Sequence, residues 1–288
     1  MDNNELLSDD ILSFKTRVNE FIDYDAHGHG LFSKEPFKSN KDKFNIYFLN
    51  IYEDKDCQIP DENGGDEWGC KIWAEEKASL CNDDIDEIIV VSNDLSGTGG
   101  QSGYAFTGEH FAQITPFSIS KEEALKYPDL YIDPWINTFV HEFGHSFGGL
   151  KDEYYTYDVY DNPSQYPNCD SFSCQKWCSG TPTLPEPQYE ECAKIYNQQD
   201  CESANYKPPC IWIELYGNYV CRGTFSYENY GVNCFDGYGC YQGCEGLNGY
   251  KSILGNTIMT GHDNNDDATL EFSPAAKDAL INLLEEKI

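Results

Sequence analysis

The chain has 288 residues, 50 acidic and 19 basic, and a formal net charge of −31. A surface this negative repels phosphate backbones and sets nucleic acid aside as a partner; it serves solubility first, and also suits basic substrates or a salty medium. Aromatic residues make up 15%, which excludes a disordered chain, and no apolar run approaches the length of a membrane span.

Residues 4–24 place Leu6, Leu7, Ile11, Phe14, Val18, Phe21 and Ile22 on one side of a predicted helix. Ala26-His27-Gly28-His29-Gly30 follows as a loop, and its two histidines read as surface groups rather than metal ligands. Residues 44–52 read as a strand, residues 74–80 as a short helix, and residues 87–92 as a second strand, β-branched and nearly continuous in apolar character. Residues 97–103 are rich in glycine. No lysine and no helical pattern follow them, so they read as a turn rather than a phosphate loop, leading into an edge strand at Tyr104-Ala105-Phe106-Thr107. A central, strongly apolar helix is predicted from a cap at Asp133 and a first turn at Pro134 to Gly148-Gly149. Residues 155–250 are irregular and rich in Tyr, Pro, Gly and Cys; Ser273-Pro274 opens a last helix that runs to about Lys287.

The central helix carries His141-Glu142-Phe143-Gly144-His145, an H-E-x-x-H pattern. Positions i and i+4 share a helix face, so His141 and His145 can present two imidazole nitrogens to one metal ion. Glu142 sits about 100° further round, within reach of a metal-bound water without being a ligand. Two imidazoles, an open position and a neighbouring base are what zinc needs to hydrolyse an amide. The helix stop at Gly148-Gly149 turns the chain back towards the metal. Asp152 is the favoured third ligand, with adjacent Glu153 and distant His262 as competitors; Lys151 has no lone pair to offer while protonated.

His-Glu-Phe-Gly-His-Ser-Phe-Gly-Gly-Leu-Lys-Asp-Glu-Tyr (141–154) resembles the signature of the IgA-peptidase family of zinc metallopeptidases, which are metzincin-like. Residues 86–93 and 97–100 resemble that family's buried strand and glycine-rich stretch, and Asn256-Thr257-Ile258-Met259 resembles its methionine turn. The resemblance covers roughly residues 30–180 and 230–288. It implies an α/β (α+β) fold: a metzincin-like core with a mixed twisted sheet, a central active-site helix and an irregular disulfide-rich C-terminal lobe. It implies one zinc ion on His141, His145 and Asp152, with Glu142 as the catalytic base and Met259 packing beneath the histidines. An edge strand at 104–107 would pair with an extended peptide substrate. The expected activity is that of a zinc endopeptidase acting on protein or peptide, with its substrate left open.

Thirteen cysteines occur, ten of them between Cys169 and Cys244. Cys192, Cys201, Cys210 and Cys221 contain no C-x-x-C pair, so disulfides are favoured over zinc ribbons. The ten are expected to form five bridges, with 192–221 as a four-cysteine insert holding two of its own. Bridges imply an extracellular or cell-surface location. The first residues carry no basic and apolar leader, so the expectation is that a leader has been removed ahead of residue 1. Cys57, Cys70 and Cys81 leave one cysteine over. The expected organisation is an N-terminal helix (1–30), a catalytic subdomain (31–154) and a cysteine-rich subdomain (155–288) with the methionine turn and last helix. Acidic clusters at 82–84 and 263–267 offer oxygen ligands for structural calcium, though a solvated loop is the better reading of the second. Two other readings compete with the protease. One is an inactive protease-like surface module that adheres through the insert; the other is an intracellular cysteine/histidine zinc protein.

Overall fold

The structure is a computed structural model that describes residues 18–19, 22, 30–49, 67–82, 84–91, 103–114, 128–154, 162–171, 174–179, 192, 195–204, 210–215, 218–223, 231–234, 237–245, 249–254, 256–260 and 270–287. It is a mixed α/β protein with small sheets and several disulfides. The chain divides into two compact units. One comprises Met1–Leu150, Thr257–Phe272 and Ala276–Ile288; the other comprises Lys151–Asn256 and Ser273–Ala275.

The first unit contains a three-stranded sheet of β1 (Ile88–Val91), β2 (Gly103–Phe106) and β3 (Phe111–Ile114), in the order β1-β3-β2. β1 runs parallel to β3, with Ile88 opposite Phe111, and β2 runs antiparallel to it, with Phe106 opposite Phe111. Alternation along the strands sends side chains to two layers. Ile88, Val90 and Phe111 meet Trp73 and Ala74 of helix α1 (Glu67–Ser79), while Ile89, Val91 and Ile114 meet the main apolar core.

That core is built on helix α2 (Pro128–Ser146). Phe139, Phe143 and Phe147 follow one another at i, i+4 spacing, and the Phe143 and Phe147 rings stack at 5.0 Å. Fully buried Phe37 sits edge-on to Phe143, Phe147 and Phe272 at 5.2 to 6.0 Å, an arrangement worth about 0.5–1.5 kcal/mol per pair beyond area burial. Val140, Leu150, Ile258 and Met259 join it, as do Ala276, Leu280 and Leu284 of the last helix, α4 (Pro274–Lys287).

The second unit is stapled rather than packed. All ten cysteines from Cys169 to Cys244 are bridged. Cys169–Cys244, Cys174–Cys240 and Cys178–Cys234 are nested one inside the next; Cys192–Cys210 and Cys201–Cys221 interlace within them. A four-stranded antiparallel sheet is ordered β4 (Cys169–Asp170), β9 (Tyr250–Lys251), β8 (Gly239–Gln242), β7 (Gly231–Asn233). The insert folds as helix α3 (Gln198–Ser203) and the hairpin β5 (Cys210–Leu215) and β6 (Asn218–Gly223), as its own two bridges anticipate. Cys70 is also bridged, and Cys81 is exposed and free.

Several expected elements shift. The central helix starts at Pro128, not at Pro134; proline suits the first turn at either place, and Pro134 is accommodated inside the helix with one backbone donor fewer. α1 begins at Glu67, seven residues before its expected start at Ala74. Residues 44–49 form no strand, and Ile46, Tyr47, Phe48 and Leu49 are exposed; an apolar run makes a strand only when a ladder partner takes up its backbone groups. Of the N-terminal helix, residues 18, 19 and 22 are helical, and Ile22 packs on the core. The rest of that helix, the loop histidines His27 and His29, Gly97–Gly100 and the acidic stretch 263–267 lie outside the described residues. The Asn82 side chain is engaged locally: it accepts from the Asp84 N–H and donates to the Asp84 carbonyl, both at 3.1 Å.

Candidate metal centre

Helix geometry separates core from site. Phe139, Phe143 and Phe147 hold one face of α2 against the apolar core, and His141 and His145 fall two residues away, about 200° round the axis. The core thus sets the rotation of the helix and, with it, the direction of both imidazoles. His145 is buried, His141 half-buried and Glu142 buried.

Each ring is then fixed by a backbone carbonyl. His141 Nδ1 lies 2.8 Å from the Ile258 oxygen, and His145 Nδ1 lies 2.8 Å from the Leu150 oxygen. A carbonyl oxygen only accepts, so both Nδ1 atoms carry a proton, and in neutral rings both Nε2 atoms then keep a lone pair. Those two Nε2 atoms face each other at 3.0 Å. Two lone pairs at that distance repel unless an electron-pair acceptor lies between them. Two nitrogens each about 2.05 Å from a tetrahedral ion would be about 3.3 Å apart, so the spacing is close to what shared ligation requires.

The carbonyls are delivered by local chain geometry. Gly149 has φ +60 and ends the helix, its N–H donating to the His145 carbonyl at 3.0 Å while Leu150 N–H donates to Gly144. Glycine reaches that left-handed conformation without a Cβ penalty. The turn brings Leu150 back under His145 and leaves residues 151–153 running past the histidines. On the other side Ile258–Thr260 form a 3-10 turn that places the Ile258 carbonyl under His141. Met259 in that turn is fully buried, and a Cβ on Gly144 would meet its sulfur at 2.7 Å. The methionine therefore lies directly against the helix backbone between the two histidines, as packing and not as a ligand.

Asp152 completes the group. One ligand atom each from His141, His145 and Asp152 lies within 4.8 Å of the others, and among the described residues this is the one such cluster. A small movement of the carboxylate would bring all three atoms within bonding distance of one ion. Two imidazole nitrogens and a carboxylate oxygen form a donor set that suits zinc and other borderline divalent ions.

Glu153, the adjacent competitor, is fully buried in a different role. Its Oε1 accepts from Ser273 Oγ at 2.6 Å and from Asn168 Nδ2 at 3.1 Å. Burial pulls the Lys251 ammonium below the usual lysine value, and the charge of Glu153 partly restores it. His262 lies outside the described residues. Lys151, which stands where the commonest metzincin spacing puts a ligand, is turned instead to the Glu245 carboxylate. Burial works to lower that ammonium, but the hydrogen bond and charge of Glu245 outweigh it and raise it overall. Tyr154 Oη donates to Glu245 Oε1 at 3.1 Å, and burial, with the charges of Asp152 and Glu245, pushes the phenol up.

The structure brings together His141, His145 and Asp152, as expected from the sequence. The two carbonyls, Asn168 and Glu245 were not anticipated. A carbonyl leaves no mark in a sequence, because every residue has one. No family model matches the chain, and no curated protein matches it.

Proposed function

We propose that this protein is a secreted zinc-dependent endopeptidase with a metzincin-like core, as its resemblance to the IgA-peptidase family implies. The observation that carries the reading is the pair of Nε2 lone pairs held 3.0 Å apart beside Asp152, each imidazole locked by a carbonyl on its far nitrogen. That is a preorganised site for one cation.

Bound there, zinc supplies a Lewis acid and an acidified water. His141, His145 and Asp152 hold the ion. Glu142, one residue on from His141, accepts a proton from the attacking water and passes it to the departing amine. A purely structural metal site has no need of that glutamate. Met259 supports the histidines from below through Gly144. β2 is an outer strand of its sheet, paired with β3 alone among the described residues, and the turn after it is tied to α2 by Gly108 N–H donating to the His145 carbonyl at 2.9 Å. Its open edge suits an extended peptide, recognised by main-chain hydrogen bonds rather than by sequence. Five bridges favour an oxidising compartment outside the cytosol. Among the described residues no helix is long and apolar enough to cross a membrane.

The test compares zinc-loaded wild type with Glu142→Gln on folded and denatured protein substrates, with products read by mass spectrometry. Wild type should cleave, and the variant should keep one zinc per chain while losing at least about 100-fold in turnover. A fully loaded wild type that cleaves nothing, or a variant that cleaves as well, overturns the assignment.

A further inference from the structure

The segment that bears Asp152 is gripped on both sides by residues that adjoin a single disulfide. Asn168 precedes Cys169, and Glu245 follows Cys244; the two cysteines are bridged. Asn168 is fully buried. Its Oδ1 accepts the Lys151 N–H at 2.9 Å, and its Nδ2 donates to the Lys151 carbonyl at 2.8 Å and to Glu153 Oε1 at 3.1 Å. One amide side chain thus mimics a neighbouring strand, fixing the peptide groups on either side of Lys151 and the side chain of Glu153. Glu245 takes the Lys151 ammonium and the Tyr154 hydroxyl on its carboxylate, and its N–H donates to the Tyr154 carbonyl at 2.7 Å. Cys244 and Glu245 both adopt positive φ, 60 and 48, a conformation that persists in such residues only where the surroundings impose it. Residues 151, 153 and 154 are therefore held by backbone and side chain, and Asp152 is the one between them that faces the histidines.

We infer that Asn168 and Glu245 are positioning residues for the third metal ligand, joined by the Cys169–Cys244 bridge into one frame that fixes where the Asp152 carboxylate stands. The inference rests on the metal site proposed above. A carboxylate at the end of an unsupported loop would lose entropy on binding the ion; one already held does not. The frame also explains why a lysine is tolerated next to the site: the Glu245 carboxylate pairs with its charge. Reducing the bridge would loosen both grips together, which couples metal affinity to the redox state of one disulfide 75 residues across in sequence.

The experiment measures zinc affinity by chelator competition, and the visible absorption of the cobalt(II) form, in the 288-residue chain. Glu245→Gln, Lys151→Met, Asn168→Ala and the double variant Cys169→Ser/Cys244→Ser are compared with Cys192→Ser/Cys210→Ser, a bridge within the insert. Near-ultraviolet circular dichroism checks that each is folded at the temperature used. The four frame variants should bind zinc about 10–100-fold more weakly and show an altered cobalt spectrum, while the insert variant matches wild type in both. A merely structural role would lower the unfolding temperature and leave affinity and spectrum unchanged, and that result overturns the inference. If Asn168→Ala or the double cysteine variant fails to fold, Glu245→Gln and Lys151→Met, which preserve size, decide alone. A wild type that binds no zinc counts against the metal site itself, and so is distinguishable from failure of the frame.

Discussion

Two adjacent carboxylates, Asp152 and Glu153, differ in what surrounds them rather than in chemistry. Asp152 stands with the histidines, whereas Glu153 is enclosed by Asn168, Ser273 and the charge of Lys251. Substitution should separate the two roles. Asp152→Ala is expected to abolish stoichiometric zinc binding with little change in the unfolding of the metal-free chain. Glu153→Gln keeps an oxygen for Asn168 and Ser273 but removes the charge that partly offsets the burial of Lys251, so it should lower stability while keeping the zinc. Metal analysis and denaturant unfolding of both variants check this, and the opposite pattern would make Glu153 the ligand. At this scale the sequence was readable wherever a side chain does the chemistry. His141, Glu142 and His145 announce themselves by spacing. The Leu150 and Ile258 carbonyls do not, since their placement follows from a glycine turn and a 3-10 turn rather than from residue type.

Among the elements, α2 does double duty, with one face in the core and His141 and His145 of the candidate metal site on the other. Its Gly144 is where these demands meet. A methyl group there would overlap the Met259 sulfur at 2.7 Å and press on Phe272 at 3.1 Å. Gly144→Ala gains helix propensity of about 1 kcal/mol but overpacks the core by about 1–3 kcal/mol. The expected net result is a loss of stability and a displaced Met259 turn, which also moves the Ile258 carbonyl from His141. Combining it with Met259→Ala should recover part of the loss; a thermal unfolding series of the two single variants and the double variant measures that coupling, and simple additivity would refute the contact. The last helix was read almost to the residue, because Ser273-Pro274 is a start signal with a mechanism. β3 went unread: Phe111-Ala112-Gln113-Ile114 is buried on both faces and shows no alternation that would separate it from a loop. The start of α2 was misplaced because Pro128 and Pro134 send the same signal, and only tertiary packing chooses between them.

Over the molecule as a whole, stability is expected to depend on pH through one buried carboxyl, that of Glu87, just ahead of β1. Burial pushes Glu87 up to about 8, partly countered by the Ser146 hydroxyl and the Lys287 ammonium and reinforced by Asp86; His110 Nδ1 lies 3.4 Å away. The folded chain therefore holds this proton more tightly than the unfolded chain, whose ordinary value is 4.5. The stabilisation is complete below that value and is lost as pH rises towards about 8, at up to about 1.4 kcal/mol per pH unit. His110, lowered by burial from 6.5, gives the opposite slope in acid, so the Glu87 effect is read most cleanly above that pH. Glu87→Gln should flatten the dependence between pH 6.5 and 8; thermal unfolding across that range tests it, and an unchanged slope would remove Glu87 as its source.

The nesting of the bridges also imposes a timetable on biosynthesis. A ribosome delivers Cys169, Cys174 and Cys178 first and their partners last and in reverse, Cys234, Cys240 and then Cys244. During synthesis these three bridges become available from the inside outwards, Cys178–Cys234 first and Cys169–Cys244 last. Any early pairing between neighbouring thiols must be undone by an isomerase. The link that frames Asp152 is the last of the three to become available, so a nascent chain cannot complete that frame until Cys244 has emerged.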